Sequence, residues 1–505
     1  MNRTSFPTRT LTTLTAACAT AVALVAPAVA SATDRWVDTD TGTNSGNTCT
    51  VQANPCKTIQ QASDSSQIAG DFGTIHVDGG AYTENINIAQ GNRVTADDFV
   101  SGDSGPATIS GTGSGVAVFV QASASVSGFA ISSPTSGSVV LVADSASAHD
   151  NTITAAGANS TAVEVFPSAS GTPSVSDNTI LADSGDEATG VVVDQNVAGR
   201  ATVNGNQIGA ATGGFDRGIW VKAGSKATIE GNTILGSRQL SGSNANGIRI
   251  DGADDVDVID NDVRQPFIAA GKEADGVYAT NLSATDSLDF ERNRIVGMTG
   301  TGLVLTDVGG PVTSSNDILA DNSDRAVFAG NAPDVTLTNT TIVGNESAPV
   351  FLNSATLAVD SSILDVPITT GGGTNHCEIA YSRGPAIVEG GTGCGEFQTT
   401  ADPQFADRFA SPVPDLELKP ACCCSTWATP PTPARAPLTT RGTPAPSRAT
   451  APAPATAAAT WAPRSSRPRS PTAPSPTRPP SATPPRPTAA SPARRSSAVT
   501  RRGSR

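Results

Sequence analysis

The chain has 505 residues, with 32 Lys and Arg against 46 Asp and Glu, 49 glycines, 36 prolines and 4% aromatics. A charged fraction of 15% with so much glycine and proline excludes a helix bundle or a coiled coil. The acidic balance falls on the body of the chain: residues 33–420 carry −29, which argues against a nucleic-acid partner.

Residues 1–32 read as an export signal. Arg3 and Arg9 give a positive start, an apolar stretch runs from about Leu14 to Ala30, and two small-residue cleavage sites fit, Ala28-Val29-Ala30 and Ala30-Ser31-Ala32. No later stretch nears the ~20 apolar residues that cross a bilayer, so no transmembrane span is expected. Residues 33–73 then form an N-terminal cap, in which Pro55–Ala62 is predicted as a short amphipathic helix with Pro in its first turn. Cysteines of the body fall as two local pairs, Cys49 with Cys56 and Cys377 with Cys394. In an oxidising compartment each pair is expected to close a short loop at one end of the fold. No metal site is expected there, since only His376 lies near a thiol.

Between 74 and 365 one motif recurs, Asn-x-Ile. It stands at Asn151, Asn178, Asn206, Asn232, Asn261 (with Val263), Asn293 and Asn316, after which Thr340 and Ser361 take the Asn place before Ile342 and Ile363. The spacings of 27, 28, 26, 29, 32, 23, 24 and 21 describe one supersecondary unit with insertions in its loops. A second short strand precedes each motif, as in Gly218-Ile219-Trp220-Val221, Gly247-Ile248-Arg249-Ile250 and Gly276-Val277-Tyr278-Ala279. Nothing in this stretch has helical periodicity. The arrangement that satisfies it is an all-β fold, a single parallel β-helix of roughly 11 coils stacked at ~4.8 Å, with Val and Ile inside and the asparagines stacked as a structural ladder.

Stacking makes an outward column calculable. Its first position runs Glu164, Val192, Trp220, Arg249, Tyr278, Val304, Phe328, and the next runs Phe166, Asp194, Lys222, Asp251, Thr280, Thr306. Trp220, Tyr278 and Arg249 thus become candidates for binding the faces and carboxylates of an acidic sugar chain, unless a loop covers them. An eliminating lyase would use Arg249 or Lys222, with Asp194 and Asp251 orienting or holding calcium; otherwise no cofactor is expected. Hydrolysis would use Asp194 and Asp251, whose backbones lie two coils or ~9.6 Å apart. His76, His149 and His376 have no acid and nucleophile at a recognisable spacing. The run Asp254, Asp255, Asp257, Asp260 and Asp262 is read as a solvated acidic turn before a calcium loop.

Residues 366–420 form a C-terminal cap with the second cysteine loop, and 421–505 a disordered tail. That tail holds 13 Arg, 19 Pro and no Lys, Asp or Glu. It is either a basic linker or a frame-shifted translation. Cys424-Ser425-Thr426-Trp427-Ala428-Thr429 can be encoded so that reading one base earlier gives Leu-Leu-Asp-Leu-Gly-Asp. Resequencing the gene through the codons around Pro420 checks this: a displaced frame is expected, and an intact one leaves the linker.

Two resemblances follow from these residues. Trp36-Val37-Asp38, Asn54-Pro55-Cys56-Lys57-Thr58-Ile59, Thr74-Ile75-His76-Val77 and Gly80–Ile86 resemble the opening of secreted right-handed β-helix proteins of the pectin-lyase-like class. Asn375-His376-Cys377, Cys394-Gly395, Asp402-Pro403-Gln404-Phe405 and Leu416–Pro420 resemble the ending of bacterial choice-of-anchor Q proteins, relatives of polymorphic outer-membrane proteins. The resemblance spans about 34–420 and implies a right-handed helix and export; it implies no activity, because the fold hosts lyases, hydrolases, epimerases and adhesins. The set of Asn-Thr-Asp, Asp-Asp, Gly-His-Gly and Arg-Ile-Lys blocks that polygalacturonases carry together is missing from the sequence. The expectation is a monomeric, secreted or cell-surface β-helix that binds extracellular polysaccharide or cell-surface glycan without cleaving it. A polysaccharide lyase or glycoside hydrolase on the same face is the alternative.

Overall fold

The computed structural model describes residues 32–418 except 98, 100–104, 134–135, 168–170, 183–187, 195–198, 210–214, 237–244, 265–272, 345–349, 385–387, 390–404 and 408–414. The export signal up to residue 31, Cys394 and the tail 421–505 lie outside the described residues.

Each coil of the chain lays down three short strands, and each strand pairs with its counterpart one coil away. One coil runs Lys226–Glu230, Thr233–Leu235 and Ala245–Asp251, after which Asp255–Ile259 begins the next. Three parallel sheets result, with 14, 12 and 13 strands in the order the coil meets them. They are called here the first, second and third sheets. Parallel pairing runs on past residue 365 to Val388–Glu389. A separate antiparallel pair joins Phe405–Asp407 to Asp415–Leu418.

Period-two alternation fills the interior. On the second sheet Ile153, Ile180, Ile208, Ile234, Val263 and Ile295 occupy one inward column in strict register. The third sheet answers with Val163, Val191, Ile219, Ile248 and Val277. All of these are buried. Small residues before the third-sheet column, Ala162 and then Gly190, Gly218, Gly247 and Gly276, let the two columns meet: a Cβ at Gly276 would lie 2.2 Å from the Ile295 side chain and 2.5 Å from the Gly302 carbonyl oxygen. The core is therefore narrow, and its width is set by stacked glycines.

The turn from the first sheet to the second is the same in coil after coil. One residue adopts left-handed φ (Asp150, Asp177, Gly205, Gly231 and Asp260, between 54° and 66°), and the next is the ladder asparagine. Gly, Asp and Asn tolerate this conformation, which explains the residue type at the corner. Each asparagine amide then bonds the next: Nδ2 of Asn151, Asn178, Asn206, Asn232 and Asn261 donates to Oδ1 one coil on at 2.9–3.1 Å. The same Oδ1 accepts the backbone N–H of the preceding rung. These side chains are at most 2% exposed, so the ladder satisfies buried polar groups that water cannot reach.

The ladder corrects the sequence reading at two rungs. The seventh rung is Asp317, not Asn316, and it accepts from Asn293 N–H at 2.6 Å and from Asn293 Nδ2 at 3.0 Å. Asn316 is the corner, at φ 58°. Ser362, not Ser361, likewise follows Thr340, accepting its N–H at 3.0 Å. Leu319 and Leu364 consequently point inward, and Ile318 and Ile363 stand on the outer side. The outward isoleucines pack with Val296, Ala320 and Val343 in a small second apolar cluster, so the nearest isoleucine was the wrong guide to register.

The N-terminal helix is present but begins later than Pro55. It spans Ile59–Ala69, with Thr58 as N-cap accepting from Gln61 N–H and Gly70 closing it in a left-handed conformation. Cys56 is joined to Cys49 by a disulfide and bridged to Val37, which holds Pro55 and Cys56 extended until Thr58 frees the chain. The Glu84 carboxylate accepts from the first helical N–H groups, Ile59 at 3.0 Å and Gln60 at 3.1 Å. Ile59, Ala62, Ser63 and Ser66 are buried, and Ser66 Oγ donates to Asn92 Oδ1 at 2.6 Å. At the far end Cys377 is buried and disulfide-bonded.

Two stability predictions follow from the ladder. Burial pushes the Asp317 carboxyl up to about 6, against the opposing hydrogen bonds from Ser314 and Asn293. An acid raised in the folded state stabilises while protonated, so its contribution falls as pH rises from about 4 through 6 and is flat above. Asp317→Asn is expected to remove that fall and to gain up to ~3 kcal/mol at neutral pH. Thermal unfolding of both proteins at acid and neutral pH reads the difference. Asn206→Ala, which orphans the buried Asn178 N–H and takes one of three acceptors from Asn178 Nδ2, is expected to cost about 3 kcal/mol, seen as a lower denaturation midpoint by circular dichroism.

Candidate functional site

The outward column forms as the stacking requires. Because Ile219, Val221, Ile248, Ile250, Val277 and Ala279 point into the core, the residues between them point out. Glu164, Val192, Trp220, Arg249, Tyr278, Val304 and Phe328 are in continuous register on successive coils, and the column runs on to Phe351. Asp251, Thr280 and Thr306 align beside it. Lys222 and Asp194 hold the same place one and two coils earlier, through backbone bonds to Val193 and Val165. Val192 and Val304 are only 3% and 8% exposed although they face outward, whereas Trp220, Arg249 and Tyr278 are half-buried. The column is thus only partly open to solvent.

Its polar groups are locked to one another. One oxygen of Asp251 accepts from Trp220 Nε1 at 2.9 Å and from Arg249 Nε at 2.7 Å. The other is buried, with no hydrogen-bond partner among the described residues. Lys222 Nζ meets Asp194 at 2.7 Å. The Arg249 guanidinium lies 6.0 Å from the Trp220 ring centre and 5.3 Å from that of Tyr278. Lys222 approaches the indole to 5.0 Å and Arg217 to 4.7 Å, so three cations surround one tryptophan.

Arg217 was not legible in the sequence. Strict alternation from Trp220 places Gly218 outside and Arg217 inside. The register instead passes from Arg217–Asn246 to Ile219–Ile248, with Gly218 buried against the Gly247 carbonyl, and this brings Arg217 to the outer side. A second aromatic group, Phe328 with Phe351, was legible only in its first member. Their rings are parallel to within 6° at 5.8 Å, with Arg325 at 5.4 and 5.2 Å from the two centres.

The remaining chemical groups lie elsewhere. His76, His149 and His376 are all on the first sheet. His76 stacks on Trp36 and meets Asp97 at 2.5 Å, while His149 meets Asp150 at 2.9 Å. The acidic run divides between faces. Arg200 bridges Asp255 and Asp257 on the first sheet, Arg292 holds Asp260 at the corner, and Arg264 holds Asp262 on the second sheet. Burial raises the Asp255 carboxyl, but Arg200, Ser287 and Lys226 together offset this and leave it below the ordinary range. Among the described residues no three His, Cys, Asp or Glu are grouped to hold a metal ion, and no helix is long and apolar enough to cross a membrane.

Comparison with family models agrees with this architecture. The family described as right-handed β-helix region matches residues 246–389, and the family described as periplasmic copper-binding protein (NosD) matches 87–271. Among solved structures, the mannuronan C-5 epimerase AlgE4 A-module of Azotobacter vinelandii is similar at 14% identity, covering 67% of this chain and 91% of that one, with a TM-score of 0.32. The Dettilon tailspike protein is similar at 12% identity, covering 72% of this chain and 65% of that one, with a TM-score of 0.33. No curated protein matches the sequence. The chain is a right-handed parallel β-helix protein.

Copper chemistry does not fit the stretch that matches the NosD family. Residues 87–271 contain one histidine, His149, and neither cysteine nor methionine, the soft and borderline donors that select copper. What the stretch shares with that family is the coil.

Proposed function

We propose that this is an exported β-helix protein that binds an extracellular or cell-surface glycan along the third sheet, without cleaving it. The observation that carries the reading is the Asp251 carboxylate, which fixes the Trp220 indole and the Arg249 guanidinium with a single oxygen. A side chain already held in place loses little conformational entropy when a ligand arrives, which favours recognition. Export is supported by the signal-like residues 1–32 and by similarity to a family described as periplasmic.

The same locking weighs against cleavage. A lyase needs a base for the proton beside a uronate carboxylate, and hydrolysis needs two carboxyl groups with different tasks. Here Lys222 is committed to Asp194 and Arg249 to Asp251, and no histidine faces the column. The pairs neutralise each other, as structural ion pairs do.

Retention of the purified protein on gels containing polygalacturonate or neutral glucan, with and without calcium, tests this. Retention by the acidic polymer is expected. Trp220→Ala and Arg249→Ala should each weaken it about 5- to 30-fold, since one aromatic or cation–π contact contributes about 1–2 kcal/mol. Ultraviolet absorbance of unsaturated ends and new reducing ends should stay at background. Turnover that Arg249→Ala or Asp251→Ala abolishes would show an enzyme instead.

A further inference from the structure

We infer that the coils after Asp317 form a section that opens separately from the rest of the solenoid, and that a proton on Asp317 holds it shut. The section runs through the described strands from Val335–Thr338 to Val388–Glu389. A solenoid coil packs on its neighbours alone, so a section at one end can part from the rest along a single seam. The inference does not depend on the glycan reading.

The ladder places the seam between the coil of Asp317 and the coil of Thr340. From Asn151 to Asn293 each rung gives two bonds to the next, one from its N–H and one from Nδ2. Beyond Thr340 each rung gives one, Thr340 N–H to Ser362 Oγ at 3.0 Å and Ser362 N–H to Ser382 Oγ at 3.1 Å. At the seam itself, among the described residues, Asp317 gives Thr340 none. Thr340 Oγ1 reaches back instead, 3.3 Å from Ser314 Oγ and 3.4 Å from the Ser314 carbonyl oxygen. Strand pairing crosses the seam on all three sheets, so what is missing is the rung. The core is also polar here. Ser314 stands between Phe290 and Leu337 in the inward column of the first sheet, and both Ser314 and Asp317 are buried. Against opening works the small apolar cluster of Val296, Ile318, Ala320, Val343 and Ile363, which crosses the seam on the outer side.

Proton count decides how well the seam is joined. Ser314 Oγ lies 2.6 Å from Asp317 Oδ2. With Asp317 ionised, Ser314 gives its one proton to the carboxylate, and Thr340 gives its own to Ser314. With Asp317 protonated the chain reverses: Asp317 donates to Ser314, Ser314 to Thr340, and Thr340 to the Thr338 carbonyl oxygen at 3.3 Å. The reversed chain makes one bond more and buries no charge. Burial raises the Asp317 carboxyl to about 6, and water entering an open seam returns it toward its ordinary 3.8. Opening therefore becomes easier as pH rises from about 4 to about 6 and changes little above. The charged groups around Asp317 belong to the coil before: Glu291, which also raises it, Asp289 bonded to Thr313, and Arg292 held by Asp260 and Glu291. Asn293 and Thr340, which face it, carry no charge, nor do Ser314, Ser315 and Asn316.

Hydrogen exchange of the full chain, read by mass spectrometry and corrected for intrinsic rates, separates the two sections. Between about pH 4.5 and about pH 7.5 the amides of 335–380 are expected to open about tenfold more readily or better, and those of 152–263 to change much less. Asp317→Asn installs the side chain that the preceding rungs already carry, and the response of 335–380 should vanish. Glu291→Gln should keep most of it. A response spread evenly over 152–380 would mean one cooperative unit, and a response that survives Asp317→Asn would mean that another group is the gate. Either result overturns the inference, as does a native protein whose 335–380 amides ignore pH.

Discussion

The corner between the first and second sheets is the constraint on which the rest depends. A coil can close only if the chain reverses sharply there, and the reversal is made by one left-handed residue followed by one side chain that can stand in for backbone. Asparagine does the second task because its amide both donates and accepts, so one rung satisfies the next. From Asn151 to Asn293 the chain repeats that solution, and every strand beyond the corner inherits its register from it. Where the rung becomes Asp317 the donor is lost, and the ladder continues through hydroxyls at Thr340, Ser362 and Ser382. Hydroxyls are shorter and make fewer bonds, so the C-terminal coils hold their corner with less. Arg292 shows how firmly the position is fixed. An arginine adopts φ 56° there, and its guanidinium is clasped by Asp260, the corner residue one coil earlier.

Stacked registers turn sequence distance into an ordered surface. Trp220, Arg249 and Tyr278 are 29 residues apart in each step, yet the third sheet sets them one strand spacing apart. Such a surface is selected as columns, because a residue's neighbours are those of the coils above and below. The carboxylates on this surface hold cations and an indole in position rather than acting alone. The binding reading proposed above rests on that division of labour. The acidic run around Asp257 shows the opposite case, in which residues adjacent in sequence are sent to different faces.

The sequence by itself determined the coil. Period-two alternation, a left-handed corner residue and an amide every 26–32 positions admit a parallel β-helix and little else, and the Trp220–Arg249–Tyr278 column follows by counting. Counting failed where two residues could serve one role. At 316–319 and 361–364 either neighbour could take the rung, and only packing of Ile318 and Ile363 with Val296, Ala320 and Val343 fixed which did. It failed again at Gly218, which packs inward like Gly190, Gly247 and Gly276, so the alternation breaks in every one of these coils and Arg217 turns outward, a change that strict period two does not contain. Tertiary structure alone decided which charges meet: that Asp251 holds both Trp220 and Arg249, and that Arg325 lies across two phenylalanines. Those outcomes depend on side-chain reach between coils, and reach is set by the three-dimensional spacing of strands, which a linear pattern does not carry.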